Sequence, residues 1–425
     1  MTRNVLVLLT LLMLLTTGAQ FTNLSSANFF PDPGPDLPRI YIRNNGNIEP
    51  ASAPIDRAGD IYILTDNIVL YTIEIQCDNI VLDGAGHMIQ GNASRFKYDD
   101  GNNGVIVAGH NNINITRLSF EQGDTGVRVS KSSNINIVGN TFSNGINTGV
   151  FLEDSIHVLV EDNDFIDTGG DNHASVTCSG SDNIIRNNRL IGSVRGIDLK
   201  GQSNVISDNK IESVLPIIMD SADSNIIAGN KITGPAYQNF SGSEGIAFFR
   251  NCSNNIIFGN SITGFRGQAI RTVWSWCSNN TFYGNYFANN GFAVALQEET
   301  VNNIFYGNTF AIDSCNISGL ADLALWDNGT IGNFWGDYKG KDSNGDGIGD
   351  TPYIINSIKW NNNVRGPVSF VAGQDNYPLM EYYDFEQGAV VVPQTEPVLV
   401  IFTAVVIAVL VGAGFLIYIR RKGKP

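Results

Sequence analysis

Cysteine is scarce in these 425 residues, limited to Cys77, Cys178, Cys252, Cys277 and Cys315. Five is an odd number, no Cys-x-x-Cys occurs, and a chain this long needs no covalent staples. A disulfide scaffold, a zinc knuckle and a thioredoxin-like site are thereby excluded. Cations are also few, 26 Lys and Arg against 41 Asp and Glu. Setting aside Arg3 and the four cations after residue 419 leaves 21 against 41. A phosphate backbone needs a cationic surface, so nucleic acid is excluded as a partner. No Leu-x-x-Leu-x-Leu frame is present, which removes the leucine-rich repeat.

Long apolar runs are confined to the two ends. Val5 to Leu15 is broken only by Thr10, follows Arg3, and leads into Thr17-x-Ala19. That is a secretory signal over residues 1–19, too short to span a bilayer. Val398 to Ile419 carries no charge, and as a helix it would cover ~33 Å. Arg420, Arg421, Lys422 and Lys424 follow, so residues 398–419 are expected to be a transmembrane helix with a cytoplasmic basic tail at 420–425. The expectation is a single-pass cell-membrane protein whose bulk lies outside the cell. Between the ends, 20–76 reads as an N-terminal segment and cap, 77–325 as repeats, 326–383 as a C-terminal cap and 384–397 as a stalk.

The middle of the chain repeats itself. Segments such as Asn204-Val-Ile-Ser-Asp-Asn209, Asn225-Ile-Ile-Ala-Gly-Asn230 and Asn255-Ile-Ile-Phe-Gly-Asn260 recur. Their final asparagines fall at 140, 163, 188, 209, 230, 260, 285 and 308, mostly 21–25 residues apart. β-Branched and aromatic residues alternate with small polar ones between Gly and Asn punctuation, which is strand-and-turn chemistry of period two. One coil cannot bury its inner face alone, whereas coils stacked at ~4.8 Å close both core and hydrogen bonding. The fold expected is all-β: a right-handed parallel β-helix of about ten coils, with the asparagines at a corner tolerating left-handed backbone and stacking as an amide ladder.

Three blocks resemble the NosD-type β-helix repeat family, also grouped as carbohydrate-binding and sugar-hydrolase repeat domains. They are Ile40 to Arg43 running on through Asn79 to Gly86, the asparagine repeat, and Asn333-Phe-Trp-Gly-Asp-Tyr338 with Asp342 to Tyr353 and Asp375 to Leu379. With the anchor, the whole is similar to archaeal cell-surface β-helix proteins. The resemblance implies the fold. Its relatives include a copper-site maturation factor, polysaccharide lyases and epimerases, so it leaves activity open. Copper is disfavoured by the residues themselves. Of His87, His110, His157, His173, Met88, Met219 and Met380, only His87 and Met88 are adjacent, and neighbours on a strand face opposite ways.

The remaining candidates are local. Asp342, Asn344, Asp346 and Asp350, with the Ile348 carbonyl and a turn at Gly347, follow calcium-loop spacing. Tyr353 replaces the usual closing Glu, so a further carboxylate would come from Asp337 or Asp375. The readings are a structural Ca²⁺ or a solvated acidic turn; no organic cofactor is expected. Aligning coils places Val150, Ser175, Ile197 and Ile217, and likewise Leu152, Thr177, Leu199 and Met219, inward. Glu153, Asp198, Lys200, Asp220, Phe249, Arg250, Arg271 and Trp274 then point outward. Carboxylates, cations and aromatic faces are what a carbohydrate groove needs, and equally what an exposed sheet can show. Cys252 and Cys277, each eight residues before a repeat Asn, should stack as a disulfide or as an unpaired thiol ladder. Asn92, Asn114, Asn239, Asn251, Asn279, Asn316 and Asn328 begin glycosylation sequons. The function expected is binding or organising cell-surface glycans. A polysaccharide lyase, epimerase or hydrolase acting on acidic glycans and a structural envelope protein are the alternatives.

Overall fold

The computed structural model describes residues 37–92, 102–170, 173–235, 242–273, 276–297, 300–311, 317–319, 324–361 and 366–382. The signal segment, the stalk, the proposed membrane span and the basic tail lie outside them. Among the described residues no helix is long and apolar enough to cross a membrane. What is described is a parallel β-helix of about 11 turns.

Three parallel ladders run along its axis. The first sheet stacks Ile73–Ile75, Val105–Val107, Val127–Val129, Val150–Leu152, Val176–Cys178, Ile197–Leu199, Ile217–Met219, Ile246–Phe248, Ile270–Thr272 and Val294–Leu296 in register. The outer residues of these triplets point inward and are nearly all fully buried; the middle ones face out. Each full burial of such a side chain is worth about 1.5–3 kcal/mol. Ile40 and Ile42 already pair with Ile73 and Ile75, so residues read as a cap carry the first rungs, and the coil count exceeds ten. One rung corrects the alignment. Thr177 pairs with Phe151 and Asp198 and faces out, while Val176 and Cys178 fill the core. That rung lies one residue later than the alignment put it, Val150 pairing with Val176 and not with Ser175.

The second sheet runs through Ile115, Ile137, Val160 and Ile185, and the third, through Phe120, Phe142, Phe165 and Leu190, interleaves aromatic rings. Phe120, Phe142 and Phe165 stack at 4.8 and 4.7 Å, and Gly126 and Gly149 lie against the last two rings, where an added Cβ would stand 2.5 Å from a ring carbon. The asparagines form two buried ladders rather than one. In the first, Asn140, Asn163, Asn188, Asn209, Asn230, Asn260, Asn285 and Asn308 each pass a side-chain amide hydrogen to the next asparagine's oxygen at 2.9–3.1 Å, the last to Asn333. The second runs through Asn204, Asn225, Asn255, Asn280 and Asn303. These asparagines do not carry the left-handed backbone. The residue before each does: Gly139, Asp162, Asn187, Asp208, Gly229, Gly259, Gly284 and Gly307 have φ of +55° to +67°. The amide is needed inside, so the turn is delegated to its neighbour.

The C-terminal end is closed by an antiparallel hairpin, Tyr353–Asn361 with Gly366–Asp375. Its last residue terminates the first ladder. The Asp375 Oδ2 accepts from the Asn333 backbone N–H at 2.6 Å and the Trp335 indole N–H at 2.8 Å, and Oδ1 from the Tyr377 N–H at 3.0 Å. The carboxyl occupies the place of one more asparagine, and burial pushes it up to about 6.

Candidate functional site

The outward column of the first sheet runs Arg128, Phe151, Thr177, Asp198, Ile218, Ala247 and Arg271 on successive rungs. Seven rungs span about 29 Å. Ion pairs line it. The Arg128 guanidinium reaches Glu153 at 3.0 Å and lies 4.7 Å from the Phe151 ring centre. Arg250 holds Asp220 with two bonds at 2.7 and 3.0 Å, which depresses that carboxyl below its usual range, and Arg271 holds Glu244. Lys200 is exposed beside Asp198 and Asp220, and Phe249 is half-buried. Trp274 lies outside the described residues.

At the centre, Arg195 and Asp198 make one contact of 3.4 Å. Beneath it the Arg195 Nε and the Asp198 Oδ1 are buried without hydrogen-bond partners. Burial raises the Asp198 carboxyl, outweighing the Arg195 charge that lowers it. His173 stands beside them, its imidazole pushed down first by burial and then by Arg195. Sequence reading named Asp198, met His173 only among the copper candidates, and missed Arg195 and Glu244. Their signal was indirect: Ala174 pairs with Arg195, which puts His173 one coil before the strand that carries Arg195 and Asp198.

The other candidates are placed as follows. Asp342 turns both oxygens on its own loop, accepting from Gly345, Asp346 and Gly347 N–H groups at 2.7, 3.2 and 2.9 Å. Asp350 accepts from Ser343, Asn344 donates to Asp346, and the Ile348 N–H donates back to Asp346. Neither helper carboxylate turns to the loop: Asp337 accepts from the Tyr353 hydroxyl and Asp375 ends the ladder. Cys252 and Cys277 are buried free thiols, and the Cys252 Sγ donates to the Arg250 carbonyl at 3.1 Å. Asn114, Asn251 and Asn279 are exposed and Asn92 and Asn328 half-buried, while Asn239 and Asn316 lie outside the described residues.

A parallel β-helix with buried asparagine ladders and one ion-paired outer strip defines the class. The family model for NosD, a periplasmic copper-binding protein, matches residues 85–264 and 216–340. The chain belongs to the NosD family. No curated protein sequence matches it. Among solved structures it is similar to the tailspike of E. coli bacteriophage HK620 in complex with a pentasaccharide, at 15% identity and TM-score 0.41 over 61% of this chain and 57% of that one. It is also similar to a double mutant of the periplasmic alginate epimerase AlgG, at 17% and 0.49 over 68% and 82%. An alginate lyase from Paenibacillus sp. str. FPU-7 matches at 13% and 0.33 over 56% and 99%.

Copper, which the family description implies, does not suit the donors present. His110 is bonded to Asp78 at 2.9 Å, His157 sits in an exposed turn, and Met219 is in the core. Among the described residues no three of His, Cys, Asp and Glu come together as a metal set.

Proposed function

We propose that the outer strip of the first sheet binds an extracellular polysaccharide laid along the helix axis. The under-bonded Arg195–Asp198 pair carries this reading. The pair shares one contact of 3.4 Å, and the part a ligand reaches is its solvent-facing edge, Arg195 being 29% and Asp198 19% exposed. Sugar hydroxyls both donate and accept, so one hydroxyl pair complements a guanidinium and a carboxylate side by side. The strip is also electrically distinct. Arg128, Arg195, Lys200, Arg250 and Arg271 face Glu153, Asp198, Asp220 and Glu244, so it is near neutral in a chain of net charge −15. An acidic sugar is therefore tolerated here and repelled elsewhere. A cavity of about 590 Å³ near Arg43, Glu74 and His110 lies on the same outer face, two rungs before Arg128.

One observation favours an enzymatic second reading, a lyase, epimerase or hydrolase on acidic glycans. Asp198 holds its proton more firmly than an ordinary carboxyl, beside an imidazole held toward its neutral form, which is how an acid and a base are set apart in one site. Export, the membrane anchor and a Ca²⁺ in the Asp342–Asp350 loop complete the proposal, each resting on the sequence pattern. Affinity electrophoresis of the full chain in gels containing alginate, polygalacturonate or dextran tests the binding. Arg195→Gln and Asp198→Asn should each reduce retardation about tenfold with unchanged melting. Equal retardation of wild type and both variants would sink the reading, and unsaturated uronate released by wild type alone would establish the second.

A further inference from the structure

Trp276 is 64% exposed and holds a backbone φ of +69°. It stands nine residues before a repeat asparagine, at the corner leaving the first sheet. On four other coils that corner is Lys131, Asp154, Ser221 or Asn251, all at positive φ. Asp and Asn suit the left-handed region, whereas a bulky ring there is an outlier. Burial does not compensate, because most of the ring is in solvent.

The described side chains of the preceding coil beside it are polar. On the preceding coil lie exposed Asn251, the Arg250–Asp220 pair, and Asn254, whose amide donates to Asp223 at 2.9 Å. Behind the ring, Cys277 is fully buried, and its carbonyl accepts from the Asn303 ladder amide at 2.9 Å. A protein-docking tryptophan is normally centred in an apolar patch that excludes water. A single rigid indole among hydrogen-bonding side chains suits a ligand with an apolar face and a polar rim, which describes a pyranose ring.

We infer that Trp276 is an aromatic platform on which a sugar ring stacks, at the corner edge of the ion-paired strip. This rests on the glycan reading above and assigns a stacking subsite to it. The test uses the full chain with alginate, polygalacturonate and dextran as probes, comparing Trp276→Asn and Trp276→Phe with the Arg195→Gln and Asp198→Asn variants. Trp276→Asn should lower affinity about tenfold while melting stays level or rises, since asparagine relieves the backbone strain. Trp276→Phe should keep most of the affinity but lose the probe-induced change in tryptophan emission. Wild-type affinity in Trp276→Asn, with loss in the strip variants, would overturn the platform and leave the strip standing. No retention of wild type by any probe would overturn both.

Discussion

Asp375 makes the stability of the C-terminal coils depend on pH in an unusual direction. Its side chain is buried, and its folded pKa of about 6 stands above the ordinary 3.8. The native state therefore binds the proton more tightly than the opened state. The stabilisation is fully present below about pH 4 and is lost as pH rises through about 6. Two pKa units correspond to about 3 kcal/mol, or about a hundredfold in the opening equilibrium. Burial dominates the shift, and the Asp327 charge adds to it. Hydrogen exchange of the Asn333 amide, which donates directly to Asp375, reads this opening. Corrected for intrinsic chemistry, its protection in wild type should fall between pH 4 and 7. In Asp375→Asn that fall should vanish, because the carboxamide still accepts from Asn333 and Trp335 but does not titrate. A donor then faces the Tyr377 N–H, which lowers protection by a constant amount. The same pH profile in both proteins would refute the assignment.

Other outcomes follow from the ladders and loops. Asn209→Ala removes two donated bonds, to Asn230 and the Ile185 carbonyl, and two accepted from Asn188; urea unfolding should show a loss of about 3–5 kcal/mol, and under 1 would contradict a structural ladder. Cys252 and Cys277 should resist alkylation in the native protein and both react once it is unfolded, with a cross-linked 252–277 peptide contradicting this. Calcium in excess should raise the melting temperature relative to EDTA by binding the loop oxygens of Asp342, Asn344, Asp346 and Asp350, and identical melting would reduce the loop to its own hydrogen bonds.

The coil was legible because its period is written in residues that only stacking satisfies, Asn209 and its equivalents. The first rungs were hidden since Ile40–Ile42 and Ile73–Ile75 have core isoleucines without a repeat asparagine. Outward positions such as Asp198 and Arg271 could be read from alternation. Their partners could not. Glu244 and Arg271 are 27 residues apart, and Asp375 meets Asn333 from 42 residues away. Trp276 was passed over because its significance lies in a backbone angle. Such meetings depend on the lengths of intervening turns, which no local pattern encodes.

The central claim is that one face of this solenoid, the strip from Arg128 to Arg271, takes a polysaccharide along its axis. Hydrogen exchange of the full chain with and without bound polyuronate tests it most directly. Added protection should fall on Val150–Leu152, Ile197–Leu199, Ile217–Met219 and Ile270–Thr272 and spare the outer faces of the other two sheets. Protection confined to another sheet, or none at saturating polyuronate and dextran alike, would contradict it.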